Sequence, residues 1–201
     1  MDIDISKLKG KYVYLETLTT HHVETLRQLA KDERIWEFTK AFAINETFDK
    51  QFADYISTAS DNNAMGGQQA FVIRQTANDA IIGMTRLYEI NHKDKRAAIG
   101  YTWYTPAVWG LVHNKECKLL LLQYLFEETG FSRAEFHVAH QNIRSQKAVQ
   151  KIGGVKEGEL RKYGFRNDGS VRNTVVFSII DDEWEAKKEN LRRLITADEN
   201  R

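Results

Sequence analysis

The chain has one cysteine, Cys117, and one proline, Pro106, in 201 residues. A lone cysteine excludes an intrachain disulfide and suits a reducing compartment. With no Pro-rich linker, repeat or low-complexity tract, nothing marks a boundary, and one domain over residues 1–201 is expected. An excess of one charge is missing too: Lys+Arg number 29 against 28 Asp+Glu, a formal +1. That balance gives no electrostatic case for nucleic acid or a membrane surface as partner, although it leaves room for a local phosphate-binding patch. No run approaches the roughly 18 apolar residues that a membrane span requires; the longest, Leu119 to Leu122, is core-sized. The opening Met1-Asp2-Ile3-Asp4 is acidic and has no apolar signal region, so a cytoplasmic location is expected.

What is present reads as alternating elements. Tyr12 to Leu15 reads as a strand. Thr19 or Thr20 can cap a helix carrying Val23, Leu26, Leu29 and Ala30. Phe48, Phe52, Tyr55 and Ile56 sit at helical spacing within Thr47 to Ser60, and 61–67 is a loop by composition. Strands are predicted at Gln69 to Arg74, Ala80 to Tyr88 and Ala97 to Tyr104, the first two joined by a turn at Ala77-Asn78-Asp79. A helix from about Asn114 to Thr129 is apolar round most of its circumference, as in a helix buried on several sides. Arg133 to Val138 alternates as a half-buried strand, and Asn142 opens a helix ending near Gly153-Gly154. Strands at Val155 to Phe165 and Val171 to Ile180 are joined across Asn167-Asp168-Gly169, a strong hairpin signal. A last helix begins near Asp182, with Glu185 at a capping-box position and Trp184, Leu191 and Leu194 on one face. The order β-α-α-β-β-β-α-β-α-β-β-α implies an α/β fold with one mixed sheet.

Between Ala97 and Asn173 a strand feeds a Gly-containing loop that opens the long apolar helix. Unpaired N–H groups and the positive end of the dipole meet at that helix start and suit an anion. The stretch Trp109-Gly110-Leu111-Val112-His113-Asn114-Lys115-Glu116-Cys117-Lys118 resembles the coenzyme-A loop and helix of GNAT acetyltransferases, in the RimJ/RimL-like branch. Asn142-Ile143-Arg144-Ser145, running on to Lys151-Ile152-Gly153, is similar to that branch's next motif. Glu157 to Arg161, Asp168 to Asn173, Phe177 to Trp184 and the opening Leu8 to Glu16 extend the likeness over nearly the whole chain.

The resemblance implies a single GNAT-like domain. Its mixed, mostly antiparallel sheet would be splayed between strands four and five, with acetyl-CoA as co-substrate in the gap. Carried over, Thr102, Trp103 and Tyr104 would offer backbone groups to the pantetheine arm. Leu111, Val112, His113, Asn114 and Lys115 would present N–H groups to the pyrophosphate, and Asn142 would bond the arm from the next helix. No metal is implied, and dimers are common in the family. Four positions depart from the pattern: Val112 and Asn114 stand where small residues are usual, Val149 where a tyrosine often protonates the thiolate, and Ala98 where a carboxylate often precedes Ile-Gly-Tyr.

The implied reaction is attack of a primary amine, on a protein N-terminus or a small molecule, at the acetyl thioester. Ser145 is the candidate proton donor to the thiolate, against plain capping duty. Glu135 and His137 could take the amine proton through water, against structural duty on a solvated sheet face. Cys117 reads as a small buried side chain, and His137 and His140 lack a zinc-like companion set. Trp103, Tyr104 and Trp109 either wall the acceptor site or pack the core. His113 either faces the pyrophosphate or sits in water. Lys187, Lys188, Arg192 and Arg193 read as a solvated basic end of the last helix. The rival to an enzyme is a GNAT-like protein that holds an acyl-CoA without turnover.

Overall fold

The computed structural model describes residues 5–37, 44–60, 67–166 and 169–199. The loop expected at 61–67 lies outside them except for Gly67, as do Asn167 and Asp168 of the expected hairpin turn. The element order is the expected one: β1 (Val13–Thr17), α1 (Thr20–Leu29), α2 (Phe48–Ser60), β2 (Gln69–Gln75), β3 (Ile81–Asn91), β4 (Arg96–Tyr104), α3 (His113–Gln123), β5 (Arg133–Ala139), α4 (Ile143–Lys151), β6 (Val155–Phe165), β7 (Val171–Ile180) and α5 (Trp184–Glu199). Thr19 caps α1 in extended conformation, and His22 takes the place of the usual capping-box acid: its Nδ1 accepts from the Thr19 N–H at 3.0 Å.

Two local expectations change. The helix predicted to Thr129 is α-helical only to Gln123 and widens into a π-turn at Tyr124–Glu128. At the C-terminus, Asp181–Glu183 forms a 3₁₀ turn, so α5 starts at Trp184 and Glu185 caps nothing; its carboxylate stands 3.9 Å from Lys188. Lys188 is not solvated either, since it pairs with Glu127 at 2.7 Å.

The seven strands lie in the order β1-β2-β3-β4-β5-β7-β6. All neighbours are antiparallel except β4 and β5, which run parallel. Alternation along each strand feeds two cores. One face packs Leu87, Ile99 and Phe177 under α3, α4 and α5, with Leu121, Val149 and Leu191 from those helices. The other packs Met84 and Trp103 under α1 and α2, with Leu26 and Phe52. Among the described residues no helix is long and apolar enough to cross a membrane.

Candidate active site

β4 and β5 pair only through Arg96↔Arg133, Ala97↔Ala134 and Ala98↔Glu135. Beyond that point β4 continues against β3 as far as Gly83↔Tyr104, and β5 continues against β7 as far as Ala139↔Thr174. The two strands therefore diverge, and the β5-facing edge of 99–104 has no strand partner. A β-bulge marks the divergence. Trp103 pairs Met84 and Gly100 pairs Arg86, so Thr85 faces both Tyr101 and Thr102, with Tyr101 left-handed at φ 51°. A bulge re-aims the backbone where regular pairing stops.

The loop from β4 turns through Gly110, at φ 78°, into α3. The first bond into the helix runs from the Glu116 N–H to the Val112 carbonyl at 3.1 Å. The N–H groups of His113, Asn114 and Lys115 consequently have no acceptor within α3. That of Leu111 donates to the Val108 carbonyl at 3.4 Å. Side chains in this turn face inward. Val112 is in the core, and Lys115 forms an ion pair with Asp198 of α5. His113 is buried with Nε2 3.2 Å from Gln75, so it does not sit in water, and burial pushes its pKa down.

Across the gap, the Asn142 side chain caps α4 by accepting the Ser145 N–H at 2.9 Å. Ser145 sits half-buried in that first turn. Arg144 bridges the two sides, its guanidinium 4.5 Å from the Trp109 ring. Trp103 and Tyr104 are packing residues, one in each core, while Trp109 is half-buried. Val149 is buried and has no proton to donate.

Glu135 and His137 are not on a solvated face. Their side chains are 13% and 9% exposed, and His137 Nε2 lies 2.9 Å from Glu135 Oε2. Burial alone would raise the Glu135 pKa, but hydrogen bonds from Arg133 and His137 outweigh it and hold the carboxylate below its usual range. The ring of Tyr88 meets His137 at 5.9 Å and Tyr101 at 5.1 Å, and Tyr163 closes on His137 from β6 at 6.3 Å. Glu89 adds a third polar group, one atom from each of Glu89, Glu135 and His137 lying within 4.8 Å of the others. Both Glu135 oxygens are already engaged, Oε1 by Arg133 and Oε2 by His137.

Sequence reasoning missed two groups on α3. Glu116 accepts the N–H groups of Lys11, Tyr12 and Val13 at 2.9, 2.6 and 2.7 Å. Lys118 is buried and donates to Thr102 Oγ1 at 2.7 Å. Both read in sequence as ordinary charged positions of a helix.

Parting parallel strands beside a helix start with free N–H groups define a known architecture. Residues 13–155 match the family described as the acetyltransferase (GNAT) domain. The chain belongs to the GNAT acetyltransferase family. It is 28% identical over 179 residues to the Bacillus licheniformis protein called uncharacterized N-acetyltransferase p20, covering 85% of this chain and 99% of that one. A GCN5-related N-acetyltransferase from Brucella melitensis shares the fold at TM-score 0.83 and 24% identity, over 94% of this chain and 84% of that one. So does the spermidine N-acetyltransferase of Vibrio cholerae, solved with CoA and spermine, at TM-score 0.69 and 20% identity over 88% and 99% of the two chains.

Proposed function

We propose that this GNAT acetyltransferase moves an acetyl group from acetyl-CoA to a primary amine by direct attack, as a cytoplasmic enzyme of the RimJ/RimL-like branch. The observation that carries this reading is the unpartnered edge of β4 beside the free N–H groups of α3. The fit is chemical. Pantetheine carries amides that can bond an unpaired strand edge, and a pyrophosphate matches a helix N-terminus. Residues 102–104 of β4 would hold the arm with Asn142, and the N–H groups of His113, Asn114 and Lys115 would hold the phosphates together with that of Val112. Bound acetyl-CoA supplies an acyl group activated as a thioester.

The protein's own groups then manage charge and protons. In a neutral His137 ring, the hydrogen bond to ionised Glu135 places the proton on Nε2 and leaves Nδ1 as the base for the amine. Glu135, held ionised by Arg133, stabilises the imidazolium that results. Backbone N–H groups at the β4 bulge face the developing oxyanion. Ser145 is the hydroxyl from which the leaving sulfur takes a proton.

A second reading, an acyl-CoA-binding protein without turnover, is favoured by the buried, protonless Val149. The test is CoA-thiol release from acetyl-CoA with a panel of small amines and peptides with free N-termini. Turnover with at least one acceptor is expected. His137→Asn should cut kcat about 100-fold or more without unfolding the protein. CoA binding with no release for any acceptor would establish the second reading instead.

A further inference from the structure

One buried cation beside the gap has no role in the chemistry above. Lys118 is 6% exposed. It lies two residues beyond Glu116, which sets the two side chains about 200° apart around α3. Glu116 points to the start of β1, so Lys118 points the opposite way, to β4, where its Nζ donates to Thr102 Oγ1 at 2.7 Å. Thr102 lies on the segment of β4 that β5 has left, next to the bulge at Tyr101. Its hydroxyl is 2.7 Å from Thr85 Oγ1 and 3.4 Å from the Gly100 carbonyl.

Two other largely buried lysines have carboxylate partners, Lys115 with Asp198 and Lys188 with Glu127. Lys118 has only the Thr102 hydroxyl, and among the described residues no carboxylate stands within ion-pair distance of it. The titratable group beside it is the Cys117 thiol, which burial pushes up and keeps neutral. Burial likewise holds the Lys118 amine below the ordinary lysine range. A cation kept in such a place calls for an anion, and the anion that acetyl transfer creates in this gap is the CoA thiolate.

We propose that Lys118 is the counter-ion of the CoA thiolate, its ammonium steadied by Thr102. The proposal rests on the acetyl-CoA reading above. As the C–S bond breaks, the electron pair stays on sulfur opposite the Lys118 ammonium. The sulfur then takes its proton from the Ser145 hydroxyl, as above, giving CoA thiol; solvent returns a proton to that oxygen, and Lys118 keeps its charge throughout. The pairing works in both directions, favouring the charged forms of amine and thiol together.

The test needs no acceptor. CoA itself is bound to the purified protein, and the ultraviolet absorbance of the thiolate is followed through the pH range in which a thiol ionises. The bound thiol is expected to ionise about one pH unit or more below free CoA, a tenfold change in its ionisation constant. In Lys118→Met, which keeps the volume of the side chain, it should return to the free value while CoA still binds. A lysine that only ties α3 to β4 would leave the bound thiol of the wild type where free CoA has it. That outcome on the wild type alone overturns the proposal, whether or not the variant folds. Equal thiol pKa values in wild type and a CoA-binding variant overturn it too. Failure of the wild type to bind CoA removes the cofactor reading itself, and is distinct from an unshifted thiol in a formed complex.

Discussion

Glu116 gathers three backbone N–H groups on one carboxylate, and the approach is so close that a Cβ on Gly10 would stand 2.4 Å from its Cδ. The start of β1 is thus stitched to the first turn of the helix that the cofactor reading places at the phosphates. Glu116→Ala leaves those donors without their acceptor and should destabilise the protein by about 3 kcal/mol, at roughly 1 kcal/mol for each lost bond. Urea unfolding measures it, and Gly10→Ala should move the midpoint in the same direction. A loss below about 0.5 kcal/mol, the level of an ordinary surface change, would mean that water replaces the carboxylate. In sequence Glu116 reads only as a first-turn acid favourable to its helix dipole, because its partners lie more than 100 positions away. Glu135 and His137 were legible as a polar pair on an alternating strand, but not as buried. The rings that cover His137 come from β3 and β6, which sequence alternation on β5 does not reveal.

At the scale of elements, the π-turn after α3 has a consequence for packing. It brings Glu127 to where its Oε1 accepts from Trp184 Nε1 at 2.6 Å and Lys188 Nζ at 2.7 Å, fixing α5 to α3. Glu127→Ala should cost about 2 kcal/mol and raise amide exchange in α5 before the strands. Uniform exchange across the molecule would contradict that order. Apolar spacing announced the helix and its burial on several sides, but nothing in that spacing distinguishes a wide last turn from a regular one. The twelve principal strands and helices were readable from periodicity and turn residues, most boundaries lying within a residue or two; β3 runs three residues past the expected Tyr88, to Asn91, and α3 ends six short of Thr129. The parting of β4 from β5 was readable only through family resemblance, since both strands alternate as paired strands do. Their partners on the outer sides, β3 and β7, satisfy the local pattern.

For the molecule as a whole, charge balance hides a cluster that joins β5, β6 and β7. Arg133 bonds Glu157 at 2.6 and 2.5 Å and Glu135 at 2.8 Å, and Ser178 donates to Glu157 at 2.6 Å. Those bonds hold the Glu157 carboxyl down at about 2, against an ordinary value near 4.3. A pKa lowered by folding stabilises the native state above the unfolded value, and that contribution fades as pH falls through the folded one. Melting followed between about pH 5 and pH 2 should therefore show wild type losing more stability than Glu157→Gln, whose amide does not titrate. Parallel curves would show that the pair is screened by solvent.

The measurement closest to the central claim is calorimetric titration with acetyl-CoA of the wild type and of Asn114→Asp. Asp at that position is nearly isosteric and favourable to the start of α3, so the fold is kept, yet its charge opposes a phosphate at the free N–H groups. Saturable binding by the wild type, weakened about tenfold or more in the variant, is the predicted result. Equal affinities would put the phosphates elsewhere, and no heat of binding in the wild type would contradict the acetyl-CoA assignment itself.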